Sequence, residues 1–230
     1  MGITLGIIGG IAPPSTVEYY RGLMAGFRER RPDAYPSIVI NSIDLARLLE
    51  LIGAGRMAGL VDFLSAEIDR LVRAGADCAL LAANTPHVVF DELRARSAIP
   101  LLSMVEAAAD AAAERGLRNL VLLGTRFTMR GSFYPEVFAR RGLTVRAPGD
   151  DDVAYVHEKY VTELIPGTYL PETLAGVLRV IERQSAAGAD GVLLAGTELP
   201  LLLHRTEHAG IPLLDTTSIH VRQALAELLA

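Results

Sequence analysis

The chain repeats itself, and the repeat constrains the fold more than any other feature. Residues 75–85 read Gly-Ala-Asp-Cys-Ala-Leu-Leu-Ala-Ala-Asn-Thr, and residues 188–198 read Gly-Ala-Asp-Gly-Val-Leu-Leu-Ala-Gly-Thr-Glu. An Ile-Pro-Leu-Leu segment follows each copy, at Ile99 and at Ile211. An apolar run ending in glycine precedes each copy, Gly6 to Gly10 in the first half and Leu120 to Thr125 in the second. Matched order and spacing predict two similar α/β units. A cleft between them, lined by Ala83-Asn84-Thr85 and Gly196-Thr197-Glu198, is the expected ligand site.

Short apolar runs alternate with longer amphipathic ones, which predicts parallel sheets covered by helices on both faces. The expected strands are Thr4–Gly9, Ser37–Ser42, Cys78–Ala82, Leu101–Ser103, Leu120–Gly124, Thr144–Arg146, Gly191–Leu194 and Leu213–Leu214. Helices are expected near Thr16–Arg28, Leu45–Ile52, Met57–Ala74, Val88–Arg96, Val105–Arg115, Ser132–Arg141, Tyr155–Leu164, Pro171–Ala187 and Thr217–Leu229. Gly116 and Gly142 read as helix C-caps. The chain is expected to cross between halves near Pro100–Ser103 and to return near Ile211. That gives one unit of residues 1–100 plus 211–230 and another of residues 101–210.

Composition narrows the function. Half of the 230 residues are apolar, enough for real cores. The net charge of −5, the absence of Trp and the lack of a basic run argue against nucleic acid as a partner. No apolar run is long enough to span a membrane, and the first residues carry no export signal, so a cytoplasmic location is expected. The single cysteine, Cys78, excludes an internal disulfide and a cysteine metal cluster.

The strand ends carry the candidate chemistry. Gly9-Gly10-Ile11 leads into a helix start at Ser15-Thr16, where backbone N–H groups can hold an anion and either hydroxyl can cap the helix. Gly124-Thr125 is the matching turn, and Thr125 and Thr128 offer hydroxyls to a carboxylate or serve as caps. Asn84 and Thr85 place an amide and a hydroxyl at a strand end. His87 reads either as a general acid or base or as a residue that fixes its loop by hydrogen bonds. Asp44 and Asp215 read as helix caps, and His220 as structural. Arg47 and Arg56 read either as surface residues or as ligands for a second carboxylate. His204 and His208, four apart, would share a helical face, but nothing near them completes a metal set.

Taken in order, Gly9-Gly10, Ser15-Thr16, Ser42-Ile43-Asp44, Asn84-Thr85-Pro86-His87, Gly124 to Thr128 with Phe133-Tyr134, Thr197-Glu198 and Asp215 to His220 resemble the aspartate/glutamate racemase superfamily over essentially the whole chain. The resemblance implies two pseudo-twofold-related α/β subdomains, an active site between them, a homodimer, and α-proton exchange on a small amino acid without pyridoxal phosphate or another cofactor. It also implies a cysteine immediately before Asn-Thr and another before Thr-Glu, one for each face of the α-carbon. Here those positions are Ala83 and Gly196.

Cys78 lies too far upstream to replace either cysteine and is expected in the core. The reading is therefore a racemase using other groups, with Thr197, Glu198 and His87 as acid–base candidates. His157 and Lys159, on a segment that could cover the site, are open as further candidates or as a solvated face. Gly10, Ile11, Ala83, Asn84, Thr85, Thr125, Thr128 and Gly196 are the expected substrate contacts. The alternatives are a carboxylate-binding protein without turnover, and a decarboxylase or isomerase of a dicarboxylate.

Overall fold

The computed structural model describes residues 2–11 and 13–230. It divides into two compact units, residues 2–104 with 220–230 and residues 105–219.

In the first unit the order is β1 (Thr4–Gly9), α1 (Pro13–Arg30), β2 (Ser37–Ser42), α2 (Leu45–Gly53), α3 (Met57–Arg73), β3 (Cys78–Leu81), a 3₁₀ turn (Thr85–Val89), α4 (Phe90–Arg96) and β4 (Leu101–Leu102). The strands pair in parallel in the order β2-β1-β3-β4. Buried Leu60, Leu64, Ile68 and Leu71 recur at helical spacing along α3 and pack with Ile8, Ala79 and Leu81. Tyr19, Leu23 and Phe27 of α1 pack with Leu5, Ile7 and Leu80, and with Val221, Ala224 and Leu225 near the C-terminus.

The second unit begins with α5 (Met104–Glu114), whose first residue still belongs to the first unit. It continues through β5 (Asn119–Gly124), α6 (Arg126–Arg130), α7 (Phe133–Ala139), β6 (Thr144–Arg146) and α8 (Asp150–Lys159). A π-turn (Tyr160–Leu164), α9 (Pro171–Ala186), β7 (Gly191–Ala195), α10 (Glu198–Leu203), β8 (Glu207–His208) and β9 (Ile211–Asp215) follow. The last helix, α11 (Thr216–Leu229), passes to the first unit at His220. Among the described residues the strand order is β6-β5-β7-β9-β8, with β8 antiparallel on the edge.

The two units repeat one frame. β6-β5-β7-β9 is the order β2-β1-β3-β4 over again. Asp77 accepts the Thr4 N–H at 2.8 Å, and Asp190 accepts the Asn119 N–H at 2.9 Å. Gly75 and Gly188 precede them at φ 87° and 86°, a left-handed turn that glycine adopts without penalty. In each unit β3 or β7 stands beside β1 or β5 at the point where the chain's winding reverses. Ligands of open α/β sheets bind beyond the carboxyl ends of strands at such a point.

One sequence expectation is corrected here. Ile211–Asp215 does not return to the first unit. It pairs with β7 through Val192–Leu213, Leu193–Leu214 and Leu194–Asp215. The second Ile-Pro-Leu-Leu is the copy of β4 and closes its own unit's sheet. Likewise Leu101 and Leu102 stay in the first sheet, paired with β3, and the chain crosses after them.

Candidate active site

At the reversal point of the first unit, the end of β1 turns at Gly10. Its φ of 83°, and the 2.8 Å that would separate a Cβ from the Ile43 backbone, restrict the position to glycine. The expected roles of Ser15 and Thr16 are corrected. α1 starts earlier, at Pro13, so neither residue caps it. Thr16 Oγ1 instead accepts the Gly10 N–H at 2.9 Å, which takes that donor away from an anion, and Ser15 Oγ donates to the Ala82 carbonyl at 2.7 Å. The Ile11 side chain lies in the core with Leu48 and Leu81.

The end of β3 presents half-buried Ala83 and Thr85 and buried Asn84. His87 is buried behind them. Its Nε2 accepts the Met104 N–H at 3.1 Å, so the ring proton is on Nδ1, which donates to the Ala83 carbonyl at 2.9 Å. The ring stacks on Phe90, and burial lowers its pKa to about 4. His87 is thus a neutral clamp on the Ala83 turn with both nitrogens in use. His220 is held in the same way, accepting from the Tyr19 hydroxyl at 2.8 Å and donating to the Leu102 carbonyl at 3.1 Å.

In the second unit, Thr125 caps α6 by accepting the Thr128 N–H, and the two hydroxyls lie 3.2 Å apart. Thr128 is buried and Thr125 half-buried. Beyond β7, Glu198 is buried with its carboxylate Oε2 accepting hydrogen bonds from the Thr197 hydroxyl at 2.9 Å and from the Tyr160 hydroxyl. Burial, then the neighbouring Glu198 charge, hold the Tyr160 phenol protonated well above the ordinary tyrosine range. Tyr160 comes from the π-turn after α8, whose extra residue closes with the Ile165 N–H on the Tyr160 carbonyl. One turn earlier His157 Nδ1 accepts the Arg126 N–H at 3.2 Å, so this segment lies over the ends of both β5 and β7.

Tyr160 is the residue that the sequence reading missed. Its signal was Gly196, which sits at no left-handed turn and yet carries no side chain. A Cβ there would lie 2.7 Å from two Tyr160 ring carbons and closer still to the hydroxyl oxygen. The glycine is present because the phenol fills the space.

Other candidates lie elsewhere. Lys159 pairs with Glu163 at 2.6 Å, and Arg47 and Arg56 both pair with the exposed Glu50. α10 ends at Leu203, so His204 and His208 do not share a helical face. His208 meets Glu182 at 3.0 Å, and no metal-holding group of side chains occurs among the described residues. Cys78 is buried in β3, where burial pushes its thiol up to about 11. Asp44 and Asp215 cap α2 and α11 as expected.

The sequence model of the Asp/Glu/hydantoin racemase family matches residues 8–224. A broad specificity amino-acid racemase of Bacillus subtilis is 23% identical over 168 residues, 70% of this chain and 69% of that protein. A solved structure of an Asp/Glu racemase-like protein from Yersinia pestis superposes with TM-score 0.93 at 30% identity, covering 99% of this chain and 100% of that one. An aspartate racemase homologue of Pyrococcus horikoshii superposes at 0.85 with 33% identity, covering 98% of each chain.

Proposed function

As the chain belongs to the Asp/Glu/hydantoin racemase family, we propose that it is a cofactor-independent amino-acid racemase that exchanges the α-proton of a small, acidic amino acid. The observation that carries this reading is the buried Glu198 carboxylate at the end of β7, steadied by the Thr197 and Tyr160 hydroxyls. Removing an α-proton needs a positioned base, and the two hydroxyls fix this carboxylate in one place and orientation. In the second unit, Thr125 and Thr128 at the end of β5 and Thr197 at the end of β7 are the polar groups that hold the substrate's carboxylate and amino groups. The broad specificity of the Bacillus subtilis relative supports an amino acid as the substrate.

One observation favours a second reading. The β3 end offers no free acid–base group: Ala83 has none, and both His87 nitrogens are occupied. Proton exchange confined to one face of the α-carbon would leave the configuration unchanged; a dicarboxylate decarboxylase or isomerase, or a binder without turnover, would need no acid–base group on the second face.

The test is proton NMR of L-aspartate and L-glutamate with the protein in D2O, paired with chiral chromatography. Loss of the α-proton signal with appearance of the D-isomer supports racemisation. Deuterium entry with retention supports one-face chemistry. Absence of both overturns the proposal, and malonates and maleate are then the ligands to test.

A further inference from the structure

We infer that the Tyr160 hydroxyl, delivered by the π-turn into the space left by Gly196, is the atom that exchanges the proton with substrate, and that Glu198 acts through it. The inference rests on the α-proton exchange proposed above and assigns its reacting atom.

Three observations lead to it. The internal repeat sets Gly196 opposite Ala83, whose methyl stands half-buried at the strand end. In the second unit that volume holds the end of the Tyr160 phenol, which a Cβ at position 196 would overlap. The group presented at the end of β7 therefore comes from another element, not from the strand. Glu198 Oε2 receives both the Tyr160 and the Thr197 hydroxyls, so the carboxylate is joined to the phenol by a hydrogen bond along which a proton can move. Finally, Tyr160 is the residue at which the helix opens into a π-turn, a distortion common at functional sites.

The step balances without another reactant. As the substrate's Cα–H bond breaks, its proton passes to the Tyr160 oxygen, and the Tyr160 proton passes to Glu198 Oε2. The electron pair left on the α-carbon spreads into the substrate carboxylate. When the phenol proton exchanges with solvent before reversal, carbon receives a solvent proton, and the phenol and the carboxylate are restored. Thr197 keeps its hydrogen bond to Oε2 throughout and holds the acceptor in place.

The experiment compares wild type, Tyr160→Phe and Glu198→Gln by α-deuterium incorporation into L-aspartate, L-glutamate and other amino acids, with the melting shift produced by the same amino acids as a binding readout. The phenylalanine variant keeps the ring and the packing at Gly196. The expected result is a loss of about 10²-fold or more in exchange in both variants, with the melting shift retained. A fluorotyrosine at position 160, which lowers the phenol's intrinsic pKa, should change the exchange rate; a purely structural hydroxyl would leave it unmoved. Exchange within tenfold of wild type in Tyr160→Phe, or indifference to the fluorotyrosine, overturns the assignment and leaves the α-proton chemistry standing. A wild-type protein that exchanges no substrate overturns both.

Discussion

The packing of Gly196 against Tyr160 can be measured as a coupling energy. Gly196→Ala places a Cβ 2.7 Å from two ring carbons of a tyrosine that is almost fully buried. Overpacking of a well-filled site costs about 1–3 kcal/mol. Displacing the phenol from the Glu198 carboxylate adds roughly 1.5–3 kcal/mol, the worth of a hydrogen bond to a charged group. Tyr160→Ala alone costs about 3–5 kcal/mol, as for other buried aromatics. In that background the methyl meets no ring. The backbone at 196 is not left-handed, so Gly196→Ala becomes neutral or stabilising by about 0.4–1 kcal/mol through the unfolded chain. The double variant should therefore be about as stable as Tyr160→Ala alone, with a coupling of roughly 2 kcal/mol or more. Urea midpoints of the four proteins, read at unchanged m-value, give the cycle. Additivity within about 0.5 kcal/mol would show that the phenol does not fill this space and would remove the reason for the glycine.

Further outcomes follow from the same geometry. His87→Gln should lower the melting temperature while the folded fraction keeps its exchange rate within tenfold, because His87 clamps Ala83 and Met104; loss of exchange at unchanged stability would return it to the chemistry. Burial depresses His87 to about 4 and His220 to about 3, so both are neutral when folded. Their contribution is complete above the unfolded value near 6.5 and is lost as pH falls from there towards about 4 and below. The urea midpoint should drop between pH 6.5 and 4.5, and a flat midpoint refutes the reading. The Cys78 thiol, buried and raised to about 11, should resist iodoacetamide at pH 8 in the folded protein and react in urea, with exchange activity unaffected by the reagent.

The frame of the fold was legible because local signals and tertiary structure agree along it. Thr4–Gly9, Ser37–Ser42 and Thr144–Arg146 form strands with the bounds that the apolar runs suggest. What escaped was short or depended on partners distant in sequence. α6 spans Arg126–Arg130 and α10 spans Glu198–Leu203, each little more than a turn. β8 exists only because β9 offers it an edge. α8 begins at Asp150, ahead of the expected Tyr155, and there the sequence did carry a signal: Asp150, Asp151 and Asp152 set three carboxylates in the first turn, where the helix dipole favours them.

At the candidate site the duplication acts as an alignment of the chain with itself. Because the two frames share strand order, the Asp77 and Asp190 contacts and the glycine turns before them, differences at matched strand-end positions reflect what each end does rather than how it folds. Asn84 and Thr85 answer to Thr197 and Glu198, and His87 answers to Pro200. The first unit uses its ionisable residue to close a turn: a buried imidazole whose hydrogen bonds run to backbone. The second uses its own to hold a carboxylate beside two hydroxyls. Ala83 against Gly196 is then the most informative pair, since the smaller residue marks where another element enters. Tyr160 could not be read from its own neighbourhood in the sequence, where it is one aromatic residue on an amphipathic stretch. It could be read from the glycine 36 positions later that makes room for it.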